Sequence, residues 1–208
     1  MPVYDHHKIV FHHVPKTGGR AIDTWLGGSD VSAGHVPVFT LEEDLKARAI
    51  SSGEGYRQTF PSFTIMRDPV DRIRSAWMHH KREERETLKA WPHLFNCDFE
   101  TAVLQADFVK LIQDDIRSVH FYPLSWMFVR NGKRKTLFLP TVSLGFDTLE
   151  ADTDRLVERF SLDVDPFTFS ATQYERRPLG ERAMEKFRWL YNSDYNIMAH
   201  LETKWIGL

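Results

Sequence analysis

The 208-residue sequence predicts an α/β fold in which helices flank a mostly parallel central sheet. Short apolar runs typical of buried strands alternate along the chain with amphipathic segments typical of helices. A strand-turn-helix pattern occurs twice, at residues 8–26 and 62–85. Strands that alternate with helices form parallel sheets covered on both faces. Ligands of such sheets bind at the carboxyl ends of the strands, where we expect both turns to lie.

The first unit begins with residues 8–14, a β-branched and aromatic run that predicts a buried strand ended by Pro15. Apolar residues at helical spacing predict a helix over residues 20–26, and the glycine pair at 27–28 ends it. The turn between strand and helix contains Lys16 and two adjacent glycines.

The second unit has the same order. Residues 62–66 (SFTIM) predict a strand, and residues 70–85 predict a helix. Pro69 suits the first helical turn and Asp68 suits the N-cap before it. The segment between the two units predicts one short helix at residues 41–50.

The remaining elements follow from periodicity. Apolar spacing predicts helices at residues 98–115, 148–160 and 179–201, and KTLFL at 135–139 predicts a third strand. No Gly/Ser-rich or Pro-rich linker interrupts the chain, so we expect a single domain over residues 1–208.

The overall composition excludes several functions. A net charge of −2 offers no general attraction for nucleic acid or an anionic membrane, so any anion site must be local. The lone Cys97 has no partner for an internal disulfide and no neighbouring metal ligand at suitable spacing. No window approaches the roughly 20 apolar residues of a membrane span, and the sequence predicts a soluble, cytoplasmic protein.

The first turn has the composition of an anion site. Backbone N–H groups converge where a strand passes into a helix, and glycines let a ligand approach the backbone closely. Lys16 adds a positive charge. The turn resembles a phosphate-binding P-loop, but no Ser or Thr follows a Gly-Lys pair to hold magnesium, so we expect no metal requirement. An ordinary strand-helix connection remains the alternative for this segment taken alone.

Two motifs in order resemble one family. HVPKTGG at 13–19 resembles the 5′-phosphosulfate loop of the sulfotransferases that use 3′-phosphoadenosine 5′-phosphosulfate (PAPS), in particular the carbohydrate, heparan 2-O branch and its bacterial relatives. FTIMRDPVDRIRSAW at 63–77 resembles the 3′-phosphate motif of that family, with Arg67 and Ser75 in the arginine and serine positions. The resemblance implies a P-loop-like three-layer sandwich with PAPS as sulfuryl donor.

The resemblance also implies a set of cofactor-binding residues. TQYERRPLG at 172–180 falls where relatives place a loop over the adenosine phosphate, and it contributes two arginines. The implied set is Lys16, Thr17, Gly18, Gly19, Arg20, Arg67, Ser75, Arg176 and Arg177. Relatives carry Thr or Ser where this chain has Arg20 and Ala21.

The resemblance implies two catalytic residues. Lys16 would stabilise the leaving phosphate, and His35, within GHVPVF at 34–39, would be the general base, because that segment resembles the one holding the family's catalytic histidine. A neutral imidazole suits this role at cellular pH. His12, His13 and His120 remain alternative bases, and an acidic residue or no base also remains open.

The sequence therefore predicts a PAPS-dependent O-sulfotransferase acting on a hydroxyl of a small molecule or saccharide. The near-neutral charge disfavours a long polyanionic glycan. A P-loop nucleotide kinase or NTPase, and a sulfotransferase-like module that binds a nucleotide or glycan without turnover, are the two alternatives.

Overall fold

The computed structural model describes residues 2–29, 31–32, 35, 37, 60–83, 86–114, 116–130, 136–170 and 176–205. The helix predicted at residues 41–50 lies outside the described residues. No helix within the described ranges is both long enough and apolar enough to cross a membrane.

The described strands form a five-stranded and a two-stranded sheet. The larger sheet has the order β3-β1-β2-β4-β7, and β5 pairs with β6. The strands are β1 (Pro2–Tyr4), β2 (Ile9–His12), β3 (Val31–Ser32), β4 (Ser62–Met66), β5 (Val129–Arg130), β6 (Thr136–Leu137) and β7 (Val142–Gly145).

The three strands β2, β4 and β7 are parallel, and β1 and β3 form an antiparallel edge. Phe63 lies opposite Phe11 on one side and opposite Val142 on the other. This register places the carboxyl ends of β2 and β4 side by side, and the turns that follow them are therefore neighbours. The predicted α/β fold, with a mostly parallel central sheet flanked by helices, is confirmed.

Helices occupy most of the remaining described residues. They are α1 (Gly19–Trp25), α2 (Pro69–Arg82), α3 (Glu86–Ala90), α4 (Pro92–Phe95), α5 (Phe99–Leu104), α6 (Asp107–Asp114), a 3₁₀ helix (Ile116–Phe121), α7 (Leu124–Phe128), α8 (Leu149–Phe160), α9 (Glu181–Leu190) and α10 (Asn192–Trp205).

Helices cover both faces of the sheet because alternate residues of β2 point in opposite directions. Phe11 is buried against Ile22 of α1, while Val10 is buried in a second cluster that includes Met127 of α7 and Ile197 of α10. A third apolar cluster lies among helices and includes residues of α2, α4, α5, α6 and α9. The site lies beside this third cluster, because α2 contributes to both.

The strand predicted at residues 135–139 is present but shorter, and it lies outside the central sheet. Among the described strands, Thr136–Leu137 pairs with β5 alone, and it is exposed, with 41% of Leu137 accessible. The third parallel strand of the central sheet is Val142–Gly145, whose first three residues are buried. The aromatic and β-branched composition of residues 135–139 predicts extended backbone. It does not show whether that strand, or the one at residues 142–145, joins the central sheet that the helices cover.

Two predicted helices are each divided in the structure. The helix predicted over residues 98–115 is broken at Gln105, which is extended (φ −73°, ψ 141°). The helix predicted over residues 179–201 is broken at Tyr191, whose hydroxyl donates to the carbonyl of Phe121 at 2.9 Å.

A buried ion pair joins α2 to α10. Arg72 Nη2 lies 2.8 Å from Asp194 Oδ2, and 1% of Arg72 and 0% of Asp194 are exposed. The same nitrogen donates to the carbonyl of Tyr122 at 3.0 Å, and the backbone N–H of Leu124 donates to Asp194 Oδ1 at 2.8 Å. Burial raises the pKa of Asp194, an effect that Arg72 opposes. This cluster fixes α2, which carries several pocket residues.

Candidate active site

The two turns are in direct contact. Arg67, which follows β4, donates from Nη1 to the carbonyl of Lys16, which follows β2, at 3.0 Å. Lys16 has a φ of 67° and Gly18 a φ of 85°, so the first turn contains two residues in the left-handed region. Glycine adopts this conformation at low cost, whereas a lysine needs contacts that hold it there. The Arg67 side chain supplies one such contact.

A pocket of about 480 Å³ lies at this junction, a volume suited to a small-molecule ligand. It brings together most of the predicted site residues, which are Lys16, Gly18, Gly19, Arg20, His35, Arg67 and Ser75. The remaining lining residues are His13, Ala21, His79, Arg82, Glu83, His120, Phe146, Phe169 and Ser170.

The pocket lining is strongly cationic. The lining contains one carboxylate, that of Glu83, and four cationic side chains, those of Lys16, Arg20, Arg67 and Arg82. Glu83 lies beside Arg82, with Oε1 at 3.3 Å from the Arg82 Nε. The net charge of the chain is −2, so the positive charge is local to this site, as the sequence predicted. The arrangement favours an anionic ligand.

The guanidinium of Arg67 is held rigidly. Only 8% of the residue is exposed, and the guanidinium carbon lies 4.0 Å from the ring centroid of Phe146. Together with the hydrogen bond to the Lys16 carbonyl, this stacking fixes the plane of the donor fork. Ser75 also lines the pocket, in the second turn of α2.

Thr17 is in the turn, but its side chain does not line the pocket. Its hydroxyl donates to the carbonyl of Val14 at 2.8 Å, and the residue is fully buried. The threonine closes the turn internally, so its contribution to a ligand is restricted to the backbone.

The two arginines expected from the adenosine loop lie outside the pocket lining. Arg176 pairs with Asp71 at 3.2 Å and with Asp147 at 3.0 Å. The carbonyl of Arg177 accepts a hydrogen bond from Arg74 of α2. These contacts tie the segment to α2, beside the aromatic pair Phe146 and Phe169 that borders the pocket.

His35 has a defined tautomer. Its Nδ1 lies 3.3 Å from the carbonyl oxygen of His13, and a carbonyl can only accept, so the proton is on Nδ1. Nε2 therefore carries a lone pair. Burial lowers the pKa of His35, and Lys16 and Arg20 lower it further. The ring is thus a neutral acceptor in a cationic pocket.

His13 packs directly on the first turn. Its ring stacks on Phe11 with centroids 5.2 Å apart, and a Cβ added at Gly19 would lie only 1.9 Å from His13 Nε2. Burial lowers the pKa of His13 to about 3. His12, the next residue back, lies on the opposite face against Phe128, so only one of the two histidines reaches the pocket.

A group of histidines continues from the pocket toward the helical cluster. The ring centroid of His120 lies 5.3 Å from that of His35, 5.4 Å from that of His79 and 5.0 Å from that of His80. Burial, followed by the neighbouring imidazoles and Lys16, lowers the pKa of His120 to about 2. Within the residues described, no group of three or more His, Cys, Asp or Glu is arranged to hold a metal ion.

Sequence reasoning missed four lining residues of clear interest. Phe146 directly follows β7, and the correct third strand would have pointed to it. Phe169 has no local sequence signal. Arg82 and Glu83 belong to the charged run KREERE at 81–86, a composition typical of a solvated helix end, yet both line the pocket.

A cationic pocket at the carboxyl ends of parallel strands, with an acceptor histidine in its wall, is the kind of site that suits an α/β protein catalysing transfer of an anionic group. The chain belongs to the sulfotransferase family, whose family model matches residues 1–196. The reaction class of that family is sulfuryl transfer. The specific branch of the family stays a prediction. No curated protein and no solved structure matches the chain.

Proposed function

We propose that the protein is a PAPS-dependent O-sulfotransferase in which His35 is the general base and Lys16 stabilises the leaving phosphate. One observation carries the proposal. The residues of both phosphate motifs, Lys16 with Arg20 and Arg67 with Ser75, line a single pocket together with His35.

The chemistry of these residues fits a donor with charged groups at the 5′ and 3′ positions of one ribose. Arg67 presents a planar donor fork with Ser75 beside it, which suits a phosphate monoester at the 3′ end. Lys16, Arg20 and the glycine turn would bind the 5′ end. We expect the pocket cations to hold this ligand without magnesium.

When bound, the donor supplies an activated sulfuryl group. His35 Nε2 would take the proton of the acceptor hydroxyl as the new S–O bond forms. The S–O bond to the 5′-phosphate breaks, and the Lys16 ammonium stabilises the negative charge that develops on that phosphate. The Nδ1 hydrogen bond from His35 to the His13 carbonyl, at 3.3 Å, would keep the lone pair on the reacting nitrogen.

The acceptor end of the pocket would lie along α2. Ser75 and Arg82 both line the pocket and are separated by seven residues of one helix, or about 10 Å. With the 3′-phosphate beside Ser75, the region near His79, Arg82 and Glu83 would receive the acceptor alcohol. We keep a saccharide hydroxyl as the proposed acceptor. The cytoplasmic location and the single domain over residues 1–208 also stay predictions.

The test is calorimetric titration with 3′-phosphoadenosine 5′-phosphate in the absence of magnesium, with ADP as the ligand that lacks the 3′-phosphate. We expect tight binding of the first ligand only, a loss of at least tenfold in Arg67→Ala, and no change in Arg159→Ala. Arg159 is an exposed arginine on α8 and is the matched control. No binding, or a magnesium-dependent preference for ATP, would overturn the proposal in favour of the kinase alternative.

Turnover separates the catalytic roles from binding. Lys16→Ala and His35→Ala should lower the rate of sulfuryl transfer by about 10²-fold or more, with a much smaller change in the Kd of the nucleotide product. Normal binding with no transfer to any hydroxyl acceptor by the wild-type chain would favour the non-catalytic binding module instead.

A further inference from the structure

A chain of hydrogen bonds runs from the helical cluster to the pocket through two histidines. Thr87 Oγ1 contacts Nδ1 of His80, and His80 Nε2 lies 2.8 Å from Nδ1 of His120. Thr87 is fully buried and His80 is 2% exposed, whereas His120 lines the pocket. The chain therefore joins a buried hydroxyl to a group at the reaction site.

The buried hydroxyl fixes the direction of this chain. In the described part of the molecule, His80 is the one hydrogen-bond partner of the Thr87 hydroxyl. If Thr87 accepted a proton from His80, its own O–H would be buried without an acceptor, which is costly. Thr87 therefore donates to His80 Nδ1.

The tautomers of both histidines follow from this direction. Because His80 Nδ1 accepts the hydrogen bond from Thr87, that nitrogen carries no proton, and the ring is a neutral imidazole. Neutral His80 then carries its proton on Nε2 and donates to His120 Nδ1. Neutral His120 in turn carries its proton on Nε2.

The pocket thus contains two neutral imidazoles with opposite tautomers. His35 is protonated on Nδ1 and presents a lone pair at Nε2, because Nδ1 donates to the His13 carbonyl. His120 presents an N–H at the same ring position. The two rings are nearly perpendicular, with an interplanar angle of 79° and centroids 5.3 Å apart.

We propose that His120 donates a hydrogen bond from Nε2 to an oxygen of the transferring sulfuryl group, and that Thr87 and His80 are positioning residues that fix its tautomer. The proposal rests on the proposed function. The proton stays on His120 throughout, so no further bond forms or breaks. A preorganised donor aimed at a transferring anionic group stabilises the transition state. In this role His120 is a hydrogen-bond donor, and the general base is His35.

The pocket environment agrees with a neutral donor. The low pKa of His120, caused first by burial, keeps the ring uncharged at cellular pH. An anion held by Lys16 and Arg20 favours a facing N–H over a facing lone pair. Both the buried Thr87 hydroxyl and the expected anionic ligand therefore favour the Nε2–H tautomer of His120.

The first test is spectroscopic and does not depend on turnover. Nitrogen-15 NMR of histidine-labelled wild-type protein should show His120 and His80 as Nε2–H tautomers and His35 as the Nδ1–H tautomer. Thr87→Val removes the donor with little change in shape, and it should abolish the single tautomer of His120. Thr87→Ser keeps the hydroxyl and should preserve it. An Nδ1–H tautomer of His120 in the wild-type protein would overturn the proposal.

The second test is kinetic. Thr87→Val should lower kcat about tenfold with an unchanged Kd for 3′-phosphoadenosine 5′-phosphate, and Thr87→Ser should restore the wild-type rate. His120→Leu should cost about 10²-fold in kcat, in line with loss of one preorganised donor. His120→Gln retains an N–H near the same position and should lose less than His120→Leu.

The outcomes separate this proposal from the proposed function. Equal rates for Thr87→Val and Thr87→Ser, or a wild-type rate in His120→Leu, would overturn the donor role while leaving PAPS binding intact. Absence of sulfuryl transfer by the wild-type chain would overturn the proposed function and the donor role together. The NMR result would still identify the tautomer set by Thr87.

Discussion

Alanine at Gly19 would collide with the His13 ring. An added Cβ would lie 1.9 Å from Nε2, 2.1 Å from Cδ2 and 2.4 Å from Cε1 of His13. Carbon atoms in contact lie about 3.5 Å apart, so the ring would have to move by roughly 1.5 Å. Phe11 stacks on this ring, and the His35 ring centroid lies 4.5 Å away. The ring therefore has little room to move.

Two opposing contributions set the size of the effect. Extra volume in a packed interior costs about 1–3 kcal/mol. Gly19 begins α1 and is not among the residues with positive φ, so alanine would otherwise gain up to about 1 kcal/mol of helix propensity. We expect Gly19→Ala to lower the free energy of unfolding by about 2 kcal/mol. In a His13→Ala background, where the obstacle is absent, the same change should be neutral or stabilising.

The assay is urea denaturation of the wild type, both single variants and the double variant. The coupling free energy should be about 2–3 kcal/mol, because the two side chains occupy one space. Gly28→Ala is the control, since nothing lies within 4 Å of its added Cβ and its φ of 83° brings backbone strain alone. Its effect should not depend on His13. Equal costs for Gly19→Ala in both backgrounds would refute the steric reasoning.

Three further predictions follow from the packing. Asp194→Asn should destabilise the fold by about 3–5 kcal/mol in urea denaturation, because it leaves Arg72 buried and uncompensated; a loss below 1 kcal/mol would contradict this. Burial lowers the pKa of His12 to about 3. The contribution of neutral His12 to stability is therefore complete above about pH 6.5 and is lost as the pH decreases from 6.5 toward 3. His12 alone should contribute about 2 kcal/mol to the loss of stability between pH 7 and pH 5, to which buried His13 and His120 add, and His12→Leu should reduce the difference measured in urea denaturation by about that amount. Phe146→Ala removes the ring stacked on Arg67 and should weaken nucleotide binding about tenfold in calorimetry, whereas Phe146→Tyr should not.

The parts of the site that sequence predicted are those fixed by local pattern. Lys16 and Arg67 each follow a strand, and neighbouring parallel strands bring their carboxyl ends together. The juxtaposition of the two turns could therefore be deduced without coordinates. The assignment of His35 came from the resemblance, and its place in the pocket agrees with that assignment.

The parts that sequence missed depend on contacts between distant residues. His79 and His80 are adjacent on a helix, so their side chains diverge by about 100° and the sequence gives no reason to expect a common partner. Yet His120, forty residues after His80, packs against both rings. Similarly, the helix predicted over residues 179–201 is interrupted at Tyr191, whose hydroxyl donates a hydrogen bond to the distant carbonyl of Phe121. Helical periodicity contains no information about such partners.

The hydrogen bond from Arg67 to the Lys16 carbonyl makes the two halves of the pocket thermodynamically linked. A ligand group that binds Arg67 also acts on the left-handed backbone of Lys16 through this hydrogen bond, and by reciprocity a group bound at Lys16 acts on Arg67. Affinities for separate 5′ and 3′ monophosphates should therefore not account for the affinity of a diphosphate that spans both.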